Sequence, residues 1–202
     1  MLDKLFKIIM EELDIKDSIR EKILQKTRKL VRKSSEIIKL IHRNNISEAE
    51  KLLNEANQLL KEINENETAF PDLFYSGSVI TAHQEFVEAR LFLAIINKED
   101  FNSITPESLN IKALPYLLGM ADLCGELRRL ILTKIKHDDY VSSEEYLKWM
   151  TEIYENLMTL DYPNGLIPGL RRKVDVTRSL IEKTRSEVIT SEKMFELSKK
   201  LK

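Results

Sequence analysis

The sequence predicts an all-α fold, on three observations. Glycine and proline are scarce, five of each in 202 residues, where an average protein carries roughly 12% of the two together. A β-sandwich, which turns every ~8–12 residues, is thereby excluded. Apolar residues recur at helical spacing over most of the chain, and helix-start signals recur between these runs. Hydrophobic residues make up 43% of the chain, enough for a core and too many for a disordered segment.

The elements read in order. Leu2, Leu5, Phe6, Ile9 and Leu13 mark a short first helix. Asp17, a good N-cap type, precedes a second helix to about Arg43, with a stripe of Ile19, Ile23, Leu30, Ile37 and Ile41 flanked by Leu24, Val31 and Ile38. Ser47-Glu48-Ala49-Glu50 reads as a capping box for a third, carrying Leu52, Leu53, Ala56, Leu59, Leu60 and Ile63. Pro71 opens a fourth helix running to about Asn97. Thr105-Pro106 starts a short turn, and a fifth helix covers Ala113–His137, with Pro115 in its first turn. Ser142-Ser143-Glu144-Glu145 is a second capping box, for a helix through Leu160. After the turn Tyr162-Pro163-Asn164-Gly165, a seventh helix runs from about Pro168 to Val188, and a short C-terminal helix begins near Ser191. The length fits one domain, residues 1–202.

Composition bounds the function. Lys+Arg at 32 and Asp+Glu at 33 nearly cancel, so any nucleic-acid surface must come from segregation of charge. One cysteine, Cys124, leaves no disulfide framework and no cysteine-based zinc site. The opening Met1-Leu2-Asp3-Lys4 does not read as a signal peptide. The longest apolar run, Leu91–Ile96, is far short of the ~18 residues of a membrane span. A reducing, cytoplasmic home without a membrane partner is the expectation.

The charge does segregate. Residues 17–43 carry nine bases and three acids, and residues 44–67 carry six acids, Glu67 the last, and two bases. Arg28, Arg32, Lys39 and Arg43 share one helix face. Such a stripe could track phosphates. It is equally a solvated face, or one paired with the acidic helix beside it.

Two acidic pairs sit where acids do not belong. Over Val79–Ile96 apolar residues point almost all round, which predicts a largely buried helix. It nevertheless carries Glu85 and Glu88, three apart, with Thr81, Ala89, Phe92 and Ile96 around that sector. In the mostly apolar helix Leu114–Thr133, Asp122 and Glu126 lie four apart, with Arg129 on the same face one turn on. Gly119 and Gly125 lie near that sector and permit close approach of a backbone or ligand. Burying an unpaired carboxylate is very costly. Two explanations stay open: one site of four oxygen ligands for Mg²⁺ or Mn²⁺, or ion pairs with Arg129, Arg90, His83 or Arg128. His83 reads as a structural histidine, and His42 and His137 as helix-end residues. Cys124 reads as a small core residue, and Trp149 with Tyr146, Ile153 and Leu157 as a packing face. There is no glycine-rich phosphate loop and no convincing nucleophile–base constellation.

Three segments resemble the translin/TRAX family. They are His83-Gln84-Glu85-Phe86-Val87-Glu88-Ala89, then Pro115-Tyr116-Leu117-Leu118-Gly119-Met120-Ala121-Asp122-Leu123-Cys124-Gly125-Glu126-Leu127-Arg128-Arg129, and Gly169-Leu170-Arg171-Arg172-Lys173-Val174-Asp175. Similarity in helix order covers nearly the whole chain and is strongest from about residue 80. The resemblance implies a seven-helix antiparallel bundle of the translin type, with protomers closing into a hollow homo-oligomer, an octamer. It implies single-stranded RNA, and possibly single-stranded DNA, as partner. The TRAX branch is a Mg²⁺-dependent endoribonuclease whose acids fall here on Glu85, Glu88, Asp122 and Glu126, a set the translin branch lacks. Cys124 stands where a threonine is common in the motif.

Two functions follow as expectations. In the first, the four acids hold Mg²⁺ or Mn²⁺, a water activated by the metal attacks the phosphodiester, and Arg129 stabilises developing charge. Arg28, Arg32, Lys39 and Arg43, with Arg171, Arg172 and Lys173, then line the path for RNA. In the second, the chain is a nuclease-silent single-stranded RNA- and DNA-binding protein whose acids are tied up in ion pairs.

Overall fold

The computed structural model describes residues 2–65, 70–74 and 77–201. Its helices are α1 (Leu2–His42), α2 (Ile46–Asn64), α3 (Pro71–Phe74), α4 (Gly77–Asn97), α5 (Pro106–Leu109), α6 (Ala113–Lys136), α7 (Tyr140–Met158) and α8 (Leu170–Lys200), with a 3-10 turn at Phe101–Ser103. Among the described residues there is no β-strand, as expected.

The long helices differ from the expected ones mainly at breaks. The two expected helices before Arg43 are one, α1, because no glycine or proline lies between Leu2 and His42 and Asp17 alone does not interrupt the hydrogen-bond ladder. The separate C-terminal helix expected from Ser191 is likewise the last part of α8. The helix expected from Pro71 appears as the single turn α3 and the long α4; residues 75 and 76 between them, and Glu67 of the acidic run, lie outside the described residues.

The caps shift too. α2 starts at Ile46 after Asn45, whose side chain makes no capping bond. α7 starts after Asp139, whose carboxylate accepts from the Ser142 N–H, so Ser142 is three residues inside the cap rather than the cap itself. Thr105 does cap α5, in a reciprocal box with Ser108.

The packing forms two groups of three. α1 packs on α2, both pack on α4, and α7 packs on α8 with both against α6. The groups join through α4 and α6. α4 buries most of its circumference, with Phe86, Val87, Ala89, Leu91 and Phe92 fully enclosed, which accounts for its lack of a polar face. Gly119 makes the α4–α6 contact tight: a Cβ there would meet the Gln84 carbonyl oxygen at 2.5 Å and the Val87 Cβ at 2.9 Å. Lys26–Glu62 (3.1 Å) and Lys33–Glu55 (2.5 Å) tie α1 to the acidic α2, each pair seven residues on from the other in opposite chain directions. No helix of the described residues is long and apolar enough to cross a membrane.

Candidate functional site

The α4–α6 seam brings both acidic pairs to one place. Glu88 is 8% exposed, and Glu85, Asp122 and Glu126 are half-buried. Their fields overlap. Burial pushes the Glu88 carboxyl up to about 8, and the negative charges of Asp122, Glu85 and Glu126 push the same way. Glu85 is also raised, by burial first and then by Asp122, with Lys173 opposing. Glu126 goes down, chiefly because His42 hydrogen-bonds its carboxylate.

The two helices treat their acids differently. Those of α6 are held. Asp122 accepts from Gln84 Nε2 at 2.6 Å on one oxygen and from Lys173 Nζ on the other. Glu126 Oε2 meets His42 Nε2 at 2.5 Å and the more exposed Arg129 at 3.6 Å. Those of α4 are not: Glu85 and Glu88 have no hydrogen-bond or ion-pair partner among the described residues. As the side chains stand, no three His, Cys, Asp or Glu groups among the described residues converge closely enough to hold a metal ion. Both Asp122 oxygens are already engaged, one by Gln84 and one by Lys173.

The arginines weighed as neutralisers mostly serve elsewhere. Arg90 pairs with Glu99 at 2.6 Å, and Arg128 makes a two-pronged pair with Glu187 and reaches Thr184. Only Arg129 touches an acid of the set. His83 is buried, and His137 is the C-cap of α6. Cys124 is buried, and burial pushes its thiol up to about 12, so it is a core residue. Trp149 packs on Phe101, ring centroids 5.1 Å apart.

Sequence reasoning missed His42, Gln84 and the placement of Lys173. His42 is not a bare helix-end residue. It continues the phase of Leu24, Val31 and Ile38 on α1, a signal that the helix face at its end is still packed. Gln84 sits beside Glu85 in the motif, and only the tertiary contact gives it a role.

The basic residues divide. Arg28, Arg32 and Lys39 are exposed on α1, on another face from the α2-paired Lys26 and Lys33, whereas Arg43, expected on the same helix, is exposed in the turn just past its end. Lys39 meets Glu36 at 3.5 Å; Arg28, Arg32 and Arg43 have no ion pair among the described residues. On α8, Arg172 and Lys173 line a groove of about 530 Å³ with Asp122, Gly125 and Gly169. Arg171 turns instead to a cavity of about 470 Å³ beside Tyr162 and the end of α7. The α8 block therefore presents cations to two surfaces, one of them at the acids.

Known proteins share this architecture. An uncharacterized protein of Methanocaldococcus jannaschii is 36% identical over 206 residues, covering 98% of this chain and 91% of that protein. The crystal structure of AfC3PO matches with a TM-score of 0.86 at 34% identity, over 93% of this chain and 96% of that one. AfC3PO in complex with duplex RNA matches with a TM-score of 0.85 at 35% identity, with the same coverage. Apo-NeC3PO, at 21% identity and a TM-score of 0.82 over 92% of this chain and 96% of that one, shares the fold. The description of the translin family fits residues 18–188, a span holding the acidic seam, His42 and the basic faces of α1 and α8, and on that match the chain belongs to the translin family.

Proposed function

We propose that this chain binds RNA and cuts single-stranded RNA at the α4–α6 seam with a divalent metal ion, Mg²⁺ or Mn²⁺. The observation that carries the reading is Glu88, buried, without an ion pair of its own, in a seam where the negative charges of Asp122, Glu85 and Glu126 all reach it. Such a charge is costly to keep unless a cation joins it. An all-oxygen set of Glu85, Glu88, Asp122 and Glu126 has the donor chemistry of a hard divalent ion. Holding one requires their side chains to turn toward one another, Asp122 leaving Lys173. The chemistry such an ion supplies is Lewis-acid polarisation of the phosphodiester and of the water that attacks it in line.

The chain's own groups supply the rest. Arg129, exposed beside Glu126, is placed to meet phosphate oxygens, and so are Arg172 and, once free of Asp122, Lys173. The exposed Arg28, Arg32 and Lys39 give α1 a line of cations that Arg43 continues in the turn after His42, suited to a sugar–phosphate backbone and sensitive to salt. The likeness to AfC3PO, whose complex holds duplex RNA, supports RNA as ligand; single-stranded RNA is the substrate proposed here, and single-stranded DNA a second ligand of the same backbone-binding surface. Leu2, Phe6, Ile9 and Leu13 form an exposed seam at alternating four- and three-residue spacing, which supports assembly with further copies of the chain, an octamer in the proposed form.

A nuclease-silent, single-strand-binding protein is the second reading. It is favoured by the bonds that already hold Asp122 and Glu126. Labelled single-stranded RNA, incubated with pure protein in Mg²⁺ and in EDTA, separates the two. The first reading predicts cleavage in Mg²⁺ alone. It predicts that Glu126→Ala lowers cleavage by more than the roughly 10–100-fold cost of losing an outer-shell partner while RNA affinity in EDTA is unchanged. It also predicts that Arg28→Glu with Arg32→Glu weakens binding and flattens its salt dependence. Equal cleavage by wild type and Glu126→Ala, or none by either, rejects it.

A further inference from the structure

We propose that His42 is a positioning residue for Glu126, fixing one carboxylate oxygen so that the other is presented to a cation at the α4–α6 seam. The inference rests on the metal reading above and goes beyond it, since it assigns a function to a helix that contributes none of the four acids.

The geometry is specific. His42 Nε2 lies 2.5 Å from Glu126 Oε2, and the His42 side chain is 9% exposed. A carboxylate can only accept, so the proton of this bond is on Nε2. Arg129 approaches the same oxygen, Oε2. Oε1 has no hydrogen-bond or ion-pair partner among the described residues. Glu126 is therefore the one acid of α6 held by a single oxygen; Asp122 has both engaged.

The imidazole is itself held. Its ring packs on Phe92 of α4, centroids 5.2 Å apart and tilted by 51°, and Phe92 is fully buried. Its backbone ends α1 in a closed motif: the Asn44 N–H donates to the Ile41 carbonyl, the Asn45 N–H donates to the Leu40 carbonyl, and Asn44 is left-handed at φ 58. Those two bonds lock the last turn of the helix. A ring fixed from its backbone and its face can hold a carboxylate at one orientation, whereas the exposed Arg129 cannot. Hydrogen-bonded outer partners of this kind orient metal-binding carboxylates, and losing one costs about 10–100-fold in metal affinity.

The test is Mn²⁺ affinity, read from the electron paramagnetic resonance of the free ion in titrations of the full chain. His42→Phe keeps a ring against Phe92 and loses the donor, and His42→Ala serves where the larger ring is not accommodated. His42→Gln restores an N–H near the same place. The inference predicts affinity weakened about 10–100-fold in His42→Phe and His42→Ala, recovery in His42→Gln, and unchanged RNA affinity in EDTA for all three. In cleavage the loss falls on kcat, with KM for RNA unchanged. Wild-type Mn²⁺ affinity in His42→Phe and His42→Ala overturns it, as does an equal loss in His42→Gln, which assigns the effect to packing. A wild type that takes up no Mn²⁺ overturns the metal reading and this inference with it.

Discussion

Glu88 carries the electrostatic strain of the seam. With its carboxyl pushed to about 8 from an ordinary 4.5, the folded metal-free chain keeps a proton that the unfolded chain has released. Between these two values the folded state binds more protons, so stability falls as pH rises. The contribution is complete below about pH 4.5 and is lost as pH passes about 8. Glu88→Gln cannot ionise. In EDTA it should melt above wild type at pH 9, by a margin of several degrees if the difference is a few kcal/mol, at about 2–4 °C per kcal/mol for a chain of this size. At pH 5 the two should melt together. A thermal melt series against pH checks this, and a gap that is larger at pH 5 contradicts the assignment. His42 and Lys173 sit at the opposite pole. Each binds an α6 acid, and neither contact follows from sequence spacing, because each partner lies on another helix, 84 and 51 residues away respectively.

Element boundaries followed backbone chemistry more than polar punctuation. α1 and α8 run unbroken where Asp17 and Ser191 had suggested breaks, because neither residue removes a backbone donor or forces a turn. The glycine-marked turn after Tyr162, by contrast, does separate α7 from α8. The acids stood out in the sequence because a carboxylate pair inside an otherwise apolar periodicity needs either a shared cation or ion-pair partners, and both pairs come to one seam. The close approach of α4 and α6 rests on Gly119. Gly119→Ala places a methyl against the Gln84 carbonyl, a backbone atom that cannot swing aside, and should cost about 1–3 kcal/mol. At Gly125 a Cβ meets nothing within 4 Å, so Gly125→Ala should hold stability or raise it by up to about 1 kcal/mol. Denaturant melts of the two variants test the contrast, and equal destabilisation would contradict it.

At the scale of the molecule, two three-helix groups meet along α4 and α6, and the seam is where the candidate chemistry lies. The first turns of α1 extend the molecule past that core: Leu2, Leu5, Phe6, Ile8, Ile9, Met10 and Leu13 are all exposed. An apolar seam of this spacing is stable when another surface covers it. Phe6→Asp with Ile9→Asp should therefore reduce the solution mass, by light scattering, toward that of one chain, with helix content retained. An unchanged mass would place the contacts between copies elsewhere. Sequence pattern gave the helices and the acids at this scale, and not the assembly of His42, Gln84 and Lys173 around them. Those contacts depend on which helices become neighbours, which local periodicity does not encode.

The most direct measurement of the central idea is anomalous scattering from crystals soaked in Mn²⁺. The account predicts a peak bounded by the carboxylates of Glu85, Glu88, Asp122 and Glu126, with Lys173 withdrawn from Asp122. A map without a peak there at saturating Mn²⁺, with Asp122 still on Lys173, would contradict it.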